Sequence, residues 1–232
     1  HRVEQIRRDF VANVSHELKT PLTMIKGAVE TLQDLSGPED ETRSRFEAMI
    51  ESHTDRMIAI IEDLLSLARI EQSEATTLPR QDLPVRALLE EAASAAEPVA
   101  RERSATIELE APEELSAPVH PPLLVQALTN LIDNAVKYSD PGGTVTITAV
   151  AEDDGVRLDV RDRGWGVPLR EQERVFERFY RVDRSRSRER GGTGLGLSIV
   201  RHVALIHGGT VSIESTPGEG STFSIHLPGG KK

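Results

Sequence analysis

The chain has 232 residues, 38% of them hydrophobic and 28% charged, with a net charge of −10 at pH 7. That composition supports a packed core and excludes disorder over most of the length, and the negative balance argues against wholesale binding to nucleic acid. Cysteine is absent, so disulfides, thiolate metal sites and cysteine nucleophiles are excluded. No apolar run reaches the roughly 20 residues that span a bilayer, so no membrane contact is expected of this stretch. It begins at His1 rather than Met and reads as a portion of something longer.

Apolar residues recur at Phe10, Val14, Leu18, Pro21, Ile25, Ala28 and Leu32, and again at Phe46, Ile50, Met57, Ile60, Leu64 and Leu67, with His53 in the same register. Steps of three and four alternate, which is the 3.5-residue rhythm of packed helices. Residues 1–72 are therefore predicted to form two long helices folded into an antiparallel hairpin around a break at 36–38. A lone hairpin buries too little surface, so a second copy is expected to complete a four-helix bundle.

Residues 73–84 are polar, carry Pro79 and Pro84, lack periodicity and are read as a linker. From 85 to 228 the pattern is α+β. Helices are predicted at 85–101, 120–138 and 195–206. Strands are predicted at 105–110, at 144–150 and 156–161 as one hairpin, and at 210–214 and 221–227 as another. A short helix is expected at 176–180, and the tail 229–232 is expected to be disordered.

Five clusters carry chemistry. In Ser15-His16-Glu17-Leu18-Lys19-Thr20-Pro21, His16 lies about 200° from Val14 and Leu18 around the helix and so faces away from the seam. Glu17 beside it can hold or remove a ring proton, which a nucleophilic imidazole needs. Thr20 follows one turn on. Asn130 and Asn134 stack one turn apart on a helix that is apolar on its other side, and two amide oxygens so placed can help hold a hard cation such as Mg2+. Lys137 can meet a phosphate, and Tyr138 offers a ring face to a base. Asp162-Arg163-Gly164-Trp165-Gly166 follows a strand. Gly191, Gly192, Thr193, Gly194, Leu195 and Gly196 open a helix, where backbone N–H groups can close on an anion. Their spacing fits neither a P-loop nor a dinucleotide fingerprint. Gly218-Glu219-Gly220-Ser221-Thr222 marks a turn between strands. Residues 170–190 hold eight arginines against five acids. That stretch reads as a lid able to meet a polyphosphate, with 182–193 expected to be mobile until nucleotide binds.

In this order the clusters resemble the H, N, glycine and F boxes of sensor histidine kinases, over nearly the whole chain. The segment from Phe10 to Leu18 is most similar to the phosphate-sensing branch. The resemblance implies a dimerisation and histidine-phosphotransfer hairpin, a GHKL-type α/β sandwich that binds ATP with Mg2+, and a response regulator receiver domain as partner. It implies His16 as phosphoacceptor, Glu17 as its base, and Thr20 as the residue that orients water in a phosphatase reaction. Asn134, with Asn130, would hold the metal. Asp162, between Gly164 and Gly166 and the preceding strand, would accept from the adenine amino group, with Thr222 joining through water. Lys137, Arg181 and the backbone of Gly192, Thr193, Gly194, Leu195 and Gly196 would contact phosphates, and Tyr138 would cover the base. Position 163 is Arg where the family often has Asn. The resemblance also implies that the fragment is the cytoplasmic portion of a membrane-anchored bacterial sensor. The competing classes are a GHKL ATPase without an acceptor histidine and a catalytically silent scaffold. The Ser15-His16-Glu17-Leu18 hairpin argues against the first, and intact Asn134, Asp162 and Gly194 against the second.

Overall fold

The computed structural model describes residues 2–34, 40–72, 78–183 and 192–229. Its internal contacts separate a helical unit that runs to Leu65 from a larger unit holding nearly all the rest.

The helical unit is built from α1 (Arg2–Asp34) and α2 (Asp40–Gln72). The seam read from the heptads is the less exposed side of both helices. Pro21, Ala28 and Ile60 are buried, while Val14, Leu18, Ile50 and Met57 are partly covered. α1 continues through Pro21, which removes one backbone donor without ending the helix. The two helices are tied by Arg56, whose Nη2 donates to Glu17 Oε2 at 3.0 Å between side chains only 10% and 15% exposed. Several large apolar side chains remain uncovered, among them Val11, Leu22, Met24, Ile58 and Ile61.

The larger unit is a two-layer α/β sandwich. Its elements are β1 (Gln81–Pro84), α3 (Val85–Glu102), β2 (Thr106–Glu110), β3 (Ser116–Val119), α4 (Pro121–Tyr138), β4 (Thr144–Glu152), β5 (Gly155–Asp162), α5 (Gly196–Ile206), β6 (Thr210–Thr216) and β7 (Gly220–Pro228). The main sheet has the order β2-β4-β5-β7-β6; β2 runs parallel to β4 and the other pairs are antiparallel. Strand alternation sends Val145, Ile147, Val156, Leu158, Val160, Phe223 and Ile225 to one face, where they are buried. The apolar stripes of the helices meet them: Leu88, Leu89 and Ala92 of α3, Leu124, Leu128, Leu131 and Ala135 of α4, and Ile199, Val200 and Val203 of α5. α4 opens on Pro121 and Pro122, where the missing N–H groups would have no helical partner in any case.

Two expectations change. The stretch 73–84 is not all linker, because Gln81–Pro84 forms β1 and pairs antiparallel with β3, an element that its proline and short length conceal. No helix forms at 176–180. Two 3-10 turns, Leu169–Glu171 and Arg174–Phe176, precede a chain reversal at Phe179, whose φ is +62°. Most of the expected lid (184–191), the turn between α1 and α2 (35–39) and the last residues (230–232) lie outside the described residues.

Candidate functional site

His16 lies on the exposed side of α1, as its helical phase requires. Thr20 Oγ1 donates to the His16 carbonyl at 3.1 Å, one turn back. The Glu17 carboxylate, expected to serve the imidazole, accepts from Arg56 across the hairpin through Oε2.

In the larger unit, α4 presents Asn130, Asn134, Lys137 and Tyr138 along one side while its apolar stripe faces the core. The start of α5 comes up against them. A Cβ on Gly196 would stand 3.7 Å from Asn130 Cγ and 3.8 Å from Asn134 Nδ2. Asn130 Nδ2 reaches the Gly196 carbonyl at 3.5 Å. The two amides and the glycine-rich helix start, distant in sequence, thus form one cradle that a larger residue at 196 would fill. Lys137 Nζ lies 3.9 Å from Asp133 Oδ2. Burial raises the Asp133 carboxyl above the usual range, and Lys137 opposes the shift.

The glycine at 194 is held by the segment before it. Phe179 N–H donates to the Gly194 carbonyl at 2.7 Å. A Cβ on Gly194, whose φ is +78°, would stand 2.9 Å from Phe179 Cα and 3.3 Å from Arg181 Nε. Arg181 is therefore beside the glycine box. Gly192 and Thr193 lead up to it without regular structure, and Leu195 is fully buried as the residue preceding α5.

At the other end, Asp162 closes β5 and is only 5% exposed. Its Oδ1 accepts from Gly164 N–H at 2.8 Å and from Ser221 N–H at 3.3 Å. Burial pushes the carboxyl up, and the two donors oppose that shift. The glycines are sterically required here. A Cβ on Gly164 would meet the Tyr138 carbonyl, one on Gly166 the Thr216 carbonyl, and one on Gly220 the Asp162 carbonyl, each closer than 2.5 Å. Trp165 N–H donates to the Tyr138 carbonyl at 3.3 Å, and the Trp165 and Tyr138 rings meet edge-on at 6.3 Å. The end of α4 and the loop after β5 are thereby joined.

Thr222 is not beside Asp162. It pairs with Arg161 in the β5–β7 register, while Ser221 pairs with Asp162. Alternation therefore turns Thr222 to the opposite face of the sheet, and the residue beside Asp162 is Ser221. Phe179, the last residue of the F box, has positive φ, which nothing in a sequence marks for a phenylalanine.

Residues 6–73 match the His Kinase A (phospho-acceptor) domain, and residues 119–231 match the histidine kinase-, DNA gyrase B- and HSP90-like ATPase family. The chain is 42% identical over 98% of its length to the sensor-like histidine kinase SenX3 of Mycobacterium tuberculosis, of which it covers 55%. It is 42% identical, again over 98% of its length, to the phosphate regulon sensor protein PhoR of Pseudomonas aeruginosa, of which it covers 51%. Full-length ShkA in complex with AMPPNP superposes with a TM-score of 0.67 at 32% identity, over 95% of this chain and 45% of that one. The chain belongs to the sensor histidine kinases and carries their phosphoacceptor and ATP-binding domains. It spans about half the length of the curated relatives it matches. Among the described residues, no helix is long and apolar enough to cross a membrane.

Proposed function

We propose that this chain transfers the γ-phosphoryl group of ATP to His16 and passes it on to an aspartate of a response regulator. The observation that supports it most directly is the cradle in which Asn130 and Asn134 meet Gly196, with buried Asp162 at the end of β5, in a chain that also exposes His16 beside Glu17. Asp162 Oδ2, the oxygen not taken by Gly164 and Ser221, accepts from the adenine amino group. Tyr138 flanks the base. Lys137, Arg181 and the backbone of 192–196 neutralise phosphates. Asn134 and Asn130 hold the magnesium ion, whose charge offsets that gathering on the phosphate oxygens in the transition state. A His16 ring nitrogen attacks the γ-phosphorus; the new P–N bond forms as the β–γ bridging P–O bond breaks, and ADP leaves. Glu17 takes the other ring nitrogen's proton, exchanging Arg56 for the imidazole. Most of the catalysis is positioning and charge neutralisation.

The protein acts as a homodimer through the uncovered apolar faces of α1 and α2, and the intact sensor is anchored in a membrane by segments outside this chain. Thr20, one turn after His16, orients water against the regulator's phosphoaspartate in a separate hydrolysis that releases inorganic phosphate and restores the free aspartate. The test is incubation with γ-labelled ATP, followed by acid and alkali. Phosphohistidine loses its label in acid and keeps it in alkali. Label that survives acid, or none at all, would contradict the proposal.

A further inference from the structure

Resting on that reading, we infer that Asp133 is the anionic member of the magnesium site: a positioning residue that acts through metal-bound water, next to the two asparagines. Asp133 precedes Asn134, and it lies one turn from Asn130, about 60° around the helix. It is the single acidic side chain on α4. Two neutral amides bring no charge to a dication that is ordinarily held by one or two carboxylates together with phosphates, and that keeps several of its waters.

The carboxylate is half-engaged. Oδ2 faces Lys137 Nζ at the long distance of 3.9 Å. Oδ1 is buried and has no hydrogen-bond donor among the described residues. A buried carboxylate oxygen without a partner calls for a water or an ion to satisfy it. The side chain as a whole is 25% exposed, so Oδ1 lies just beneath the surface rather than deep in the core. Water coordinated to a metal on Asn134 would supply strong donors on that side of α4, and on this reading Oδ1 accepts from one. Lys137 then stands between Asp133 and the phosphates, held by one and directed at the other.

The assignment gives a sign that packing alone does not. Without metal, the Asp133 carboxylate repels the phosphates. With metal, it holds the metal–nucleotide complex. ADP affinity is measured by calorimetry on the whole chain, once with chelator and once with saturating Mg2+, for the unaltered protein, Asp133→Asn and Asp133→Glu. The advantage that Mg2+ confers on ADP binding should fall about 10- to 100-fold in Asp133→Asn, the usual cost of losing an outer-shell partner. Metal-free ADP should bind that variant equally or more tightly, and Asp133→Glu should recover most of the Mg2+ advantage. An undiminished Mg2+ advantage in Asp133→Asn overturns the assignment. So does an equal loss with and without metal, which marks a residue that only shapes the site or holds Lys137. If Asp133→Asn does not fold, Asp133→Ser is read by the same two titrations. Failure of the unaltered protein to bind ADP in either condition overturns the nucleotide reading itself, a result distinct from the others.

Discussion

Phe179 and Gly194 hold each other in place: the Phe179 N–H donates to the Gly194 carbonyl, and both residues sit at positive φ with the Gly194 Cα facing the Phe179 backbone. The strained phenylalanine is kept by its buried ring and by this hydrogen bond. Gly194→Ala places a methyl 2.9 Å from Phe179 Cα in a backbone region that alanine disfavours. A loss of about 1–3 kcal/mol is expected, which for a chain of this size lowers Tm by several degrees. Nucleotide affinity should fall with it, because Arg181 and the start of α5 both adjoin Gly194. A Tm and an ADP affinity both unchanged would show that the interlock is dispensable.

Asp162→Asn tests the proposed adenine contact. An asparagine oxygen can still accept from Gly164 and Ser221, so the fold should survive with a Tm within a few degrees. The amide nitrogen then faces the adenine amino group, donor against donor, and ATP affinity should fall by about 2–3 kcal/mol, or roughly 30- to 150-fold. Thr222→Val, on the other face of the sheet, should leave ATP affinity unchanged. Equal effects of the two substitutions on a nucleotide titration would contradict the register argument.

His207 makes stability depend on pH near neutrality. It is 2% exposed, its Nδ1 lies 2.7 Å from the Val203 carbonyl, and its Nε2 accepts the His120 N–H at 2.9 Å. It thereby pins the end of α5 to the start of α4. Burial, Arg80 and His120 lower its pKa below the usual 6.5, against the Val203 hydrogen bond, which raises it. The folded state therefore binds fewer protons than the unfolded one. The contribution is complete above the unfolded value and is lost as pH falls through the folded one. His207→Gln keeps an acceptor but cannot titrate. Between about pH 7.5 and pH 5, Tm should fall more steeply in the unaltered protein than in this variant. Parallel curves would remove His207 from the account.

The apolar side chains left open on the hairpin predict that association resides there. Sedimentation should show the whole chain as a dimer and residues 78–232 as a folded monomer that still binds ADP. A tight dimer of the shorter piece would place the interface elsewhere.

Much of this was legible because the signals are periodic. The heptads mark the seam that Ala28 and Ile60 bury, and alternation in 144–150 and 156–161 gives the central hairpin. The same rule, counted back by twos from inward Phe223 and Ile225, assigns the place beside Asp162 to Ser221 rather than Thr222. What stayed hidden depends on partners distant in sequence. β1 is four residues ending in proline and exists because β3 pairs with it. Phe179 adopts positive φ because Gly194 meets it, and Glu17 is engaged by a residue 39 positions away. The asparagine pair was visible as a motif, whereas its contact with Gly196 required the fold.

The central claim is that His16 receives the phosphoryl group from ATP bound in the other domain. The most direct measurement is labelling by γ-labelled ATP of the unaltered chain and of His16→Ala, with ADP affinity measured on both. The account predicts acid-labile label on the former, none on the latter, and equal ADP affinity. Label retained by His16→Ala would contradict it and turn attention to His53, which lies within the heptad seam of α2.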